Sequence, residues 1–152
     1  MNQFSNHDKK QIDVEIYAPD HPNTWEENLT EWLSNYDILN VLKQYFIDFK
    51  FIGPTPIDFA SRENGTRIWP ELCNIDLKKL LSKKINKIGI ILNLDKHDEN
   101  GSHWVPKFIN VKDGILFYFD SAANQIPQEI TDLINLVVLD TYIFFFILLI
   151  YL

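Results

Sequence analysis

The stretch "NGSHWVPKFINVKDGILFYFDS", residues 100–121, decides the fold because it places two apolar runs on either side of a turn signal. Asp113-Gly114 is a dipeptide typical of tight turns, so the two runs predict an antiparallel hairpin. Side chains alternate across a strand. His103 at the start of the first strand and Asp120 at the end of the second are therefore predicted to share one face of this hairpin.

Whether the imidazole and the carboxylate meet depends on the register of the hairpin. If Asn110 pairs with Ile115, Asp120 lies diagonal to His103, at roughly 7–8 Å between backbone positions, and the side chains can touch. With a tighter turn Asp120 faces Lys107 instead, and a one-residue slip puts the pair on opposite faces. A touching pair fixes the imidazole tautomer for nucleophile activation; a hydrogen-bonded His without chemistry is the alternative reading.

The rest of the chain alternates strand-like and helical patterns, which predicts an α+β fold. "KIGIILNLD", residues 87–95, is a continuous apolar run that suits a strand buried on both faces. Helices are predicted within residues 30–46, with Ser34 or Asn35 as N-cap, from about Asp76, and from residue 126 onward.

Prolines modify two of the strand predictions. "FKFIGPTPIDF", residues 49–59, starts as a β-like run, and its prolines predict a loop from Gly53 onward. Pro106 interrupts the strand of His103, which argues for an edge position or a bulge there, and Lys107 places a charge where an aliphatic residue is expected.

Composition limits the classes of function. A length of 152 residues suits about one domain, and 46% apolar residues predict a folded chain. The net charge of −7 argues against a nucleic-acid partner, and it also disfavours binding to an anionic membrane. Cys73 is the single cysteine, so neither an internal disulfide nor a thiolate zinc site is expected. No cofactor or metal site is predicted, and no secretion signal is visible at the start.

Four segments carry a resemblance to a known superfamily. "NLDKHDENGSHWV" and "ILFYFDS" closely resemble the His-Trp and Asp-Ser segments of the ubiquitin-like (SUMO) proteases and the adenovirus protease, adenain. Upstream, "EWLSNYDI" resembles the Trp-Leu-Asn-Asp segment of these proteins, and "FKFIGPTPIDF" resembles a segment of members from large DNA viruses. The matches run from about Trp25 to Pro127 in the order of that superfamily.

The resemblance implies a papain-like α+β fold, incomplete at the C-terminus, and a cysteine peptidase activity of viral type. It implies that His103 is the general base, that Asp120 orients it, and that Trp104 packs beside them as a supporting residue. The implied substrate is a polypeptide, either a viral polyprotein or a ubiquitin-like conjugate, cleaved after small residues. The implied location is the host cytoplasm or the virion.

The nucleophile is the departure from that pattern. The resemblance implies a glutamine and a Cys-Gly pair after Asp120, but no cysteine follows Asp120 here. The chain is therefore expected to be a truncated form that is inactive by itself. Cys73 precedes His103 and lacks the following glycine, so it is interpreted as a small core residue, with a reactive thiol as the open alternative. The alternative function is a non-catalytic substrate- or partner-binding protein.

The predicted organisation is a polar N-terminal arm (1–24), a partial cysteine-peptidase domain (25–132) and an apolar tail (133–152). The last residues, "TYIFFFILLIYL", would span about 18 Å as a helix, short of a hydrocarbon core of about 30 Å. A membrane anchor is thus the weaker reading of the tail. Lysine far outnumbers arginine, as in an A/T-rich gene. Out-of-frame translation of T-rich DNA is therefore the preferred explanation of the tail.

Overall fold

The structure is a computed structural model that describes residues 21–45, 49–140 and 144–147. The predictions for the arm at residues 1–20 and for the tail at residues 141–143 and 148–152 lie outside the described residues. The chain divides between residues 46 and 47 into two compact units, and each is described by itself.

The first unit contains two short helices. Only the second lies within residues 30–46, where helices are predicted; the first precedes that range. Helix α1 spans Thr24–Glu27, and α2 spans Asn35–Leu42 and is followed by a 3₁₀ turn at Lys43–Tyr45. Ser34 caps α2: its hydroxyl accepts from the Asp37 N–H (3.3 Å), and its own backbone N–H donates to the Asp37 carboxylate (2.8 Å). This reciprocal capping box satisfies donors that the first turn leaves free, and it confirms the predicted start of the helix.

The second unit is built on a five-stranded mixed sheet. In chain order the elements of the unit are β1 (Phe49–Pro56), β2 (Arg62–Glu63), β3 (Thr66–Arg67), α3 (Pro70–Cys73), α4 (Leu77–Ser82), β4 (Lys87–Asn93), β5 (Trp104–Asn110), β6 (Ile115–Tyr118), α5 (Gln128–Asp140) and β7 (Phe144–Ile147). The strand order in the sheet is β1-β4-β5-β6-β7. Strands β1 and β4 run parallel, as do β6 and β7, whereas β4, β5 and β6 are successively antiparallel. A separate pair, β2 and β3, is antiparallel.

The core collects the apolar faces of the sheet and of α5. Strand β4 lies inside the sheet and is buried at all but two of its seven positions, which confirms the strand predicted from its apolar run. Helix α5 contributes the buried side chains of Ile130, Leu133, Ile134 and Val137. The helix therefore crosses residue 133, where the apolar tail is predicted to begin; the division into arm, domain and tail stays a prediction.

Strand β1 continues through the prolines, so the loop predicted from Gly53 onward is wrong. The strand pairs with β4 on one side only, and its register shifts between Ile52 and Thr55. An edge strand tolerates a missing N–H on its open side, and an irregular register absorbs the residue that cannot pair. The segment Phe49–Pro56 is thereby held against β4, and Ile57 and Asp58 follow directly at its end.

Pro106 also lies in an unexpected place, because β5 is the central strand and pairs with β4 without a break. The predicted edge position or bulge is therefore wrong. In an antiparallel ladder the N and O atoms of one residue point to the same neighbour. The Pro106 carbonyl accepts from the Phe119 N–H at 3.1 Å, just beyond the end of β6. The missing donor thus faces the point where β6 stops, and no bond to β4 is lost.

Gly89 in β4 provides a test of the packing between β1 and β4. A Cβ at Gly89 would overlap the ring of Phe49, which stacks in turn on Phe108 (ring centroids 6.3 Å apart). We expect G89A to destabilise the protein by roughly 1–3 kcal/mol through overpacking. Urea unfolding measures this cost, and F49A should offset part of it in the double variant. Equal costs of G89A in the presence and absence of the Phe49 ring would contradict the expectation.

Four residues of the predicted apolar tail form a strand. Residues Phe144–Ile147 form β7 and pair in parallel with Ile115–Tyr118 of β6. Within the described residues, every helix is too short or too polar to cross a membrane.

Candidate active site

The hairpin register brings the two predicted site residues together. Asn110 pairs with Ile115 and Lys107 with Tyr118, which is the first of the two registers considered from the sequence. Two residues beyond the last pair, Asp120 lies diagonal to His103. The His103 Nε2–H donates a 2.6 Å hydrogen bond to Asp120 Oδ1.

Asp120 is the most buried polar residue of this site. It is fully buried, whereas the side chain of His103 is 29% exposed. Besides the imidazole, the carboxylate accepts from the backbone N–H of Ala122 at 2.9 Å and of Asn124 at 3.2 Å. Burial by itself would raise the pKa of Asp120, but the hydrogen bonds from Ala122, His103 and Asn124 together hold that pKa below its ordinary value.

The low pKa of Asp120 decides the tautomer of His103. An ionised carboxylate can only accept hydrogen bonds, so Nε2 of His103 carries the proton. In the neutral imidazole the lone pair then lies on Nδ1. No hydrogen bond within the described residues uses His103 Nδ1, and the partly exposed ring can receive a proton there.

Lys107 and Tyr118 face the same side of the sheet as Asp120, which follows Tyr118 by two residues. They are paired across β5 and β6, are 3% and 0% exposed, and place Nζ 5.6 Å from the ring centroid. Within the described residues, neither Nζ nor the Tyr118 hydroxyl has a hydrogen-bond partner. Burial lowers the pKa of Lys107 to about 7; burial and the charge of Asp120 raise the pKa of Tyr118 to about 12.

The loop before His103 is closed by its own hydrogen bonds. The N–H of Leu94 donates to the His103 carbonyl oxygen at 2.9 Å. The side-chain oxygen of Asn93 accepts from the N–H of Asp95 at 2.9 Å and of Ser102 at 3.2 Å, and Ser102 Oγ donates to Asp95 Oδ1 at 2.5 Å. These bonds hold the two ends of the loop together, and His103 is the last residue of this loop.

A second His–Asp pair lies on the same loop. His97 is bound to Asp58 at the end of β1: Asp58 Oδ1 accepts from the His97 backbone N–H at 3.0 Å, and Oδ2 lies 2.7 Å from Nδ1. This pair is not predictable from a local pattern, because the partners are 39 residues apart and lie outside any periodic pattern. Within the described residues, no group of three His, Cys, Asp or Glu side chains could hold a metal ion.

Trp104 and Cys73 are the other two residues that the sequence singles out. Trp104 is the first residue of β5, is half-buried and pairs with Asn93; its supporting role stays a prediction. Cys73 ends α3, is half-buried, and its thiol donates to the Phe59 carbonyl oxygen at 3.5 Å. The thiol is thus directed to a backbone acceptor and packs against the core, as a small core residue would.

The sequence of the chain is similar to that of a viral protein. Over 109 residues it is 37% identical to a protein of Acanthamoeba polyphaga mimivirus named as a thiol protease. The alignment covers 70% of this chain and 34% of that relative, so the chain spans about a third of the relative's length. No family model matches the chain.

Three solved structures share the fold. Two are of the ASFV pS273R protease. The first has a TM-score of 0.55 and 19% sequence identity, and the match covers 77% of this chain and 48% of that protease chain. The second has a TM-score of 0.58 and 18% identity, and the match covers 93% of this chain and 56% of that protease chain. The third is SUMO protease Ulp1 with its catalytic cysteine oxidised to a sulfinic acid. It has a TM-score of 0.50 and 16% identity, and the match covers 98% of this chain and 75% of the Ulp1 chain. The chain therefore has the α+β, papain-like fold of these proteases, and its sequence is similar to that of a thiol protease from a large DNA virus.

Proposed function

We propose that the chain carries the general-base part of a viral thiol protease site, with His103 as the base and Asp120 as the residue that orients it. One observation supports this most directly: the 2.6 Å bond from His103 Nε2 to the buried Asp120 carboxylate, with Nδ1 left for a reaction. The similarity to a mimivirus thiol protease supports the same reaction class.

The proposed chemistry follows from the tautomer. Nδ1 of His103 takes the proton of a cysteine thiol as the thiolate attacks the carbonyl carbon of a peptide or isopeptide bond. Asp120 stabilises the imidazolium formed in this step. The imidazolium returns the proton to the leaving amine, and the acyl-thioester left on sulfur is hydrolysed by water. The proposed substrate is a polypeptide, either a viral polyprotein or a ubiquitin-like conjugate; the similarity to SUMO protease Ulp1 supports this class.

Peptide hydrolysis by these 152 residues alone would require a nucleophile among them. Their single cysteine is Cys73, whose thiol is bonded to a backbone carbonyl. We expect no peptide hydrolysis by the isolated chain, and the same background rate for C73S, because the thiolate is the attacking species. Fluorogenic peptides ending in Gly-Gly measure the rate. Stoichiometric labelling of Cys73 by a peptide-based thiol probe would contradict this expectation.

The proposal is tested by exchanging the matched 109-residue segment of the mimivirus relative for that of this chain, once peptide hydrolysis by that relative has been measured. The chimera should hydrolyse the same peptides in a thiol-dependent manner. H103A should reduce its rate roughly 10³-fold or more, and D120N roughly 10²–10⁴-fold, because the base is lost or held in the wrong tautomer.

A matched control keeps this test specific. Replacing His97, the other histidine on the same loop, with glutamine should leave far more hydrolysis than H103A does. Thermal unfolding shows whether each variant is folded. A folded chimera that hydrolyses nothing, or a folded H103A variant that retains the full rate, would overturn the proposal.

A non-catalytic binding function is the second candidate, and one observation favours it. The first unit exposes large apolar side chains on and before α2: Leu29 is 90% exposed, Trp32 73% and Tyr36 78%. Exposed aromatic side chains are enriched at interaction surfaces. Fluorescence polarisation with a non-cleavable Gly-Gly peptide separates the candidates, since peptide binding together with an inactive, folded chimera would favour binding alone.

A further inference from the structure

The loop from Leu94 to His103 is held by two His–Asp pairs of different character. At its end, His103 is bound to Asp120, as the proposed chemistry requires. In its middle, His97 is bound to Asp58 through both the ring and the backbone N–H. Peptide hydrolysis, as proposed above, uses the first pair and assigns no task to the second.

Asp58 is well placed to hold this loop still. Its side chain is only 11% exposed, and its neighbours Ile57 and Phe59 are buried, with exposures of 7% and 5%. The N–H of Ile57 also donates to the Asp95 carbonyl oxygen at 3.1 Å. The loop is therefore fastened to the end of β1 at three points: the backbone and ring of His97, and the carbonyl of Asp95.

A displacement at His97 would be passed on to His103 through the hydrogen bonds within the loop. Asp95 is bonded to Ser102, the residue before His103, and Leu94 is bonded to the His103 carbonyl. His103 directly precedes β5, and its imidazole must stay within hydrogen-bond distance of the Asp120 carboxylate, which the backbone N–H groups of Ala122 and Asn124 hold in place. A shift of about 1 Å at such a group is enough to lose much of its effect.

We propose that Asp58 is a positioning residue that fixes the Leu94–His103 loop and thereby keeps the His103 imidazole on Asp120. The inference rests on the proposed role of His103 as the base and adds a residue from a distant part of the chain to that site. Asp58 acts through His97 and the loop, and it touches neither the substrate nor the reacting atoms.

The charges around His97 agree with a fixed position. The bond to Asp58 raises the pKa of His97; burial opposes this, and the charges of Asp58, Asp98 and Glu63 add to it. The Glu63 carboxylate is more distant from the ring than that of Asp58: it lies 3.9 Å from Nε2 and is 66% exposed. Because the folded pKa is raised, the stabilisation from this pair is complete below about pH 6.5 and is lost as the pH rises through the folded pKa.

The test compares D58A with E63A in the whole chain. Both remove one carboxylate beside the His97 ring, but only D58A removes the acceptor of the His97 backbone N–H. Two NMR signals report on the loop: the His103 Nε2–H resonance and the exchange rate of the Leu94 amide. In D58A the amide should exchange about tenfold faster and the Nε2–H resonance should broaden. In E63A both should stay as in the wild type, and D58N should lie between, since it keeps one acceptor.

Several results would overturn the inference. A folded D58A with both signals unchanged would show that the loop holds His103 without Asp58. Equal effects of D58A and E63A would show that the charge matters and the position does not. Should D58A fail to fold, H97A decides: it keeps the backbone acceptor and should give an intermediate loss. These signals do not depend on hydrolysis, so an inactive chimera would count against the proposed function and leave this inference standing.

Discussion

K107M is expected to stabilise the protein and to remove most of its pH dependence between pH 7 and 9.5. Lys107 is 3% exposed, and within the described residues its ammonium has no hydrogen-bond partner, so burial lowers its pKa from 10.5 to about 7. The unfolded chain binds this proton more tightly than the folded one. Stability from this group therefore rises as the pH rises from 7 toward 10.5.

The size of the effect follows from the linkage. One pKa unit corresponds to about 1.4 kcal/mol, so the wild type should gain roughly 2–4 kcal/mol across this range. K107M, which fills a similar volume without the charge, should be flat and more stable at pH 7 by a similar amount. Urea unfolding at pH 7, 8 and 9.5 measures both. Higher pH is avoided because Tyr118, whose pKa is raised to about 12, has the opposite sign there.

K112M is the matched control for K107M. Lys112 is an exposed residue in the turn between β5 and β6, and the substitution makes the same change in charge. Its effect should stay within about 0.5 kcal/mol, as for other surface substitutions. A K107M variant that is no more stable than K112M, with the wild-type slope against pH, would contradict the burial of an uncompensated amine.

D120A is expected to be the most destabilising single change at the candidate site. The substitution leaves three donors without an acceptor: His103 Nε2–H and the backbone N–H groups of Ala122 and Asn124. Leaving buried partners unpaired costs roughly 3–5 kcal/mol. D120N should cost less, because it retains one acceptor oxygen. Urea unfolding at pH 7 provides the measurement.

The pH dependence of stability in acid provides a second, independent test of the role of Asp120. Because the pKa of Asp120 is lower in the folded chain, its stabilisation is fully present above about pH 4 and is lost as the pH falls through the folded pKa. The difference between wild type and D120A should therefore shrink toward pH 2. D98N, which alters an exposed carboxylate on the neighbouring loop, should show neither effect. A difference that stayed constant with pH would mean that Asp120 is not ionised in the folded protein.

The His–Asp pair was predictable because the information is local. Alternation along two strands and a turn signal between them put His103 and Asp120 on one face. Only the register stayed open, since it depends on whether the turn begins after Asn110 or later, and both choices keep the same face. The burial of Lys107 follows from the same alternation, because it lies between Val105 and Ile109 on the buried side.

What escaped prediction depends on distant partners. Prolines argue against β1, but a strand at the sheet edge needs partners on one side only, and its position in the sheet is a property of the whole topology. The contact of Asp58 with His97 was not predicted, because it exists only once β1 lies beside β4. The prolines of β1 and the central Pro106 were misjudged for one reason: which side of a strand is open cannot be seen in one segment.

The short span of the hairpin has a consequence for the order of folding. His103 and Asp120 are 17 residues apart, and their contact needs only two adjacent strands and a turn, which can form in about 1–10 μs in isolation. The contact of His97 with Asp58 spans 39 residues and requires β1 to dock in parallel on β4, which is a slower closure. The imidazole should thus meet its carboxylate early in folding and be fixed in place only late.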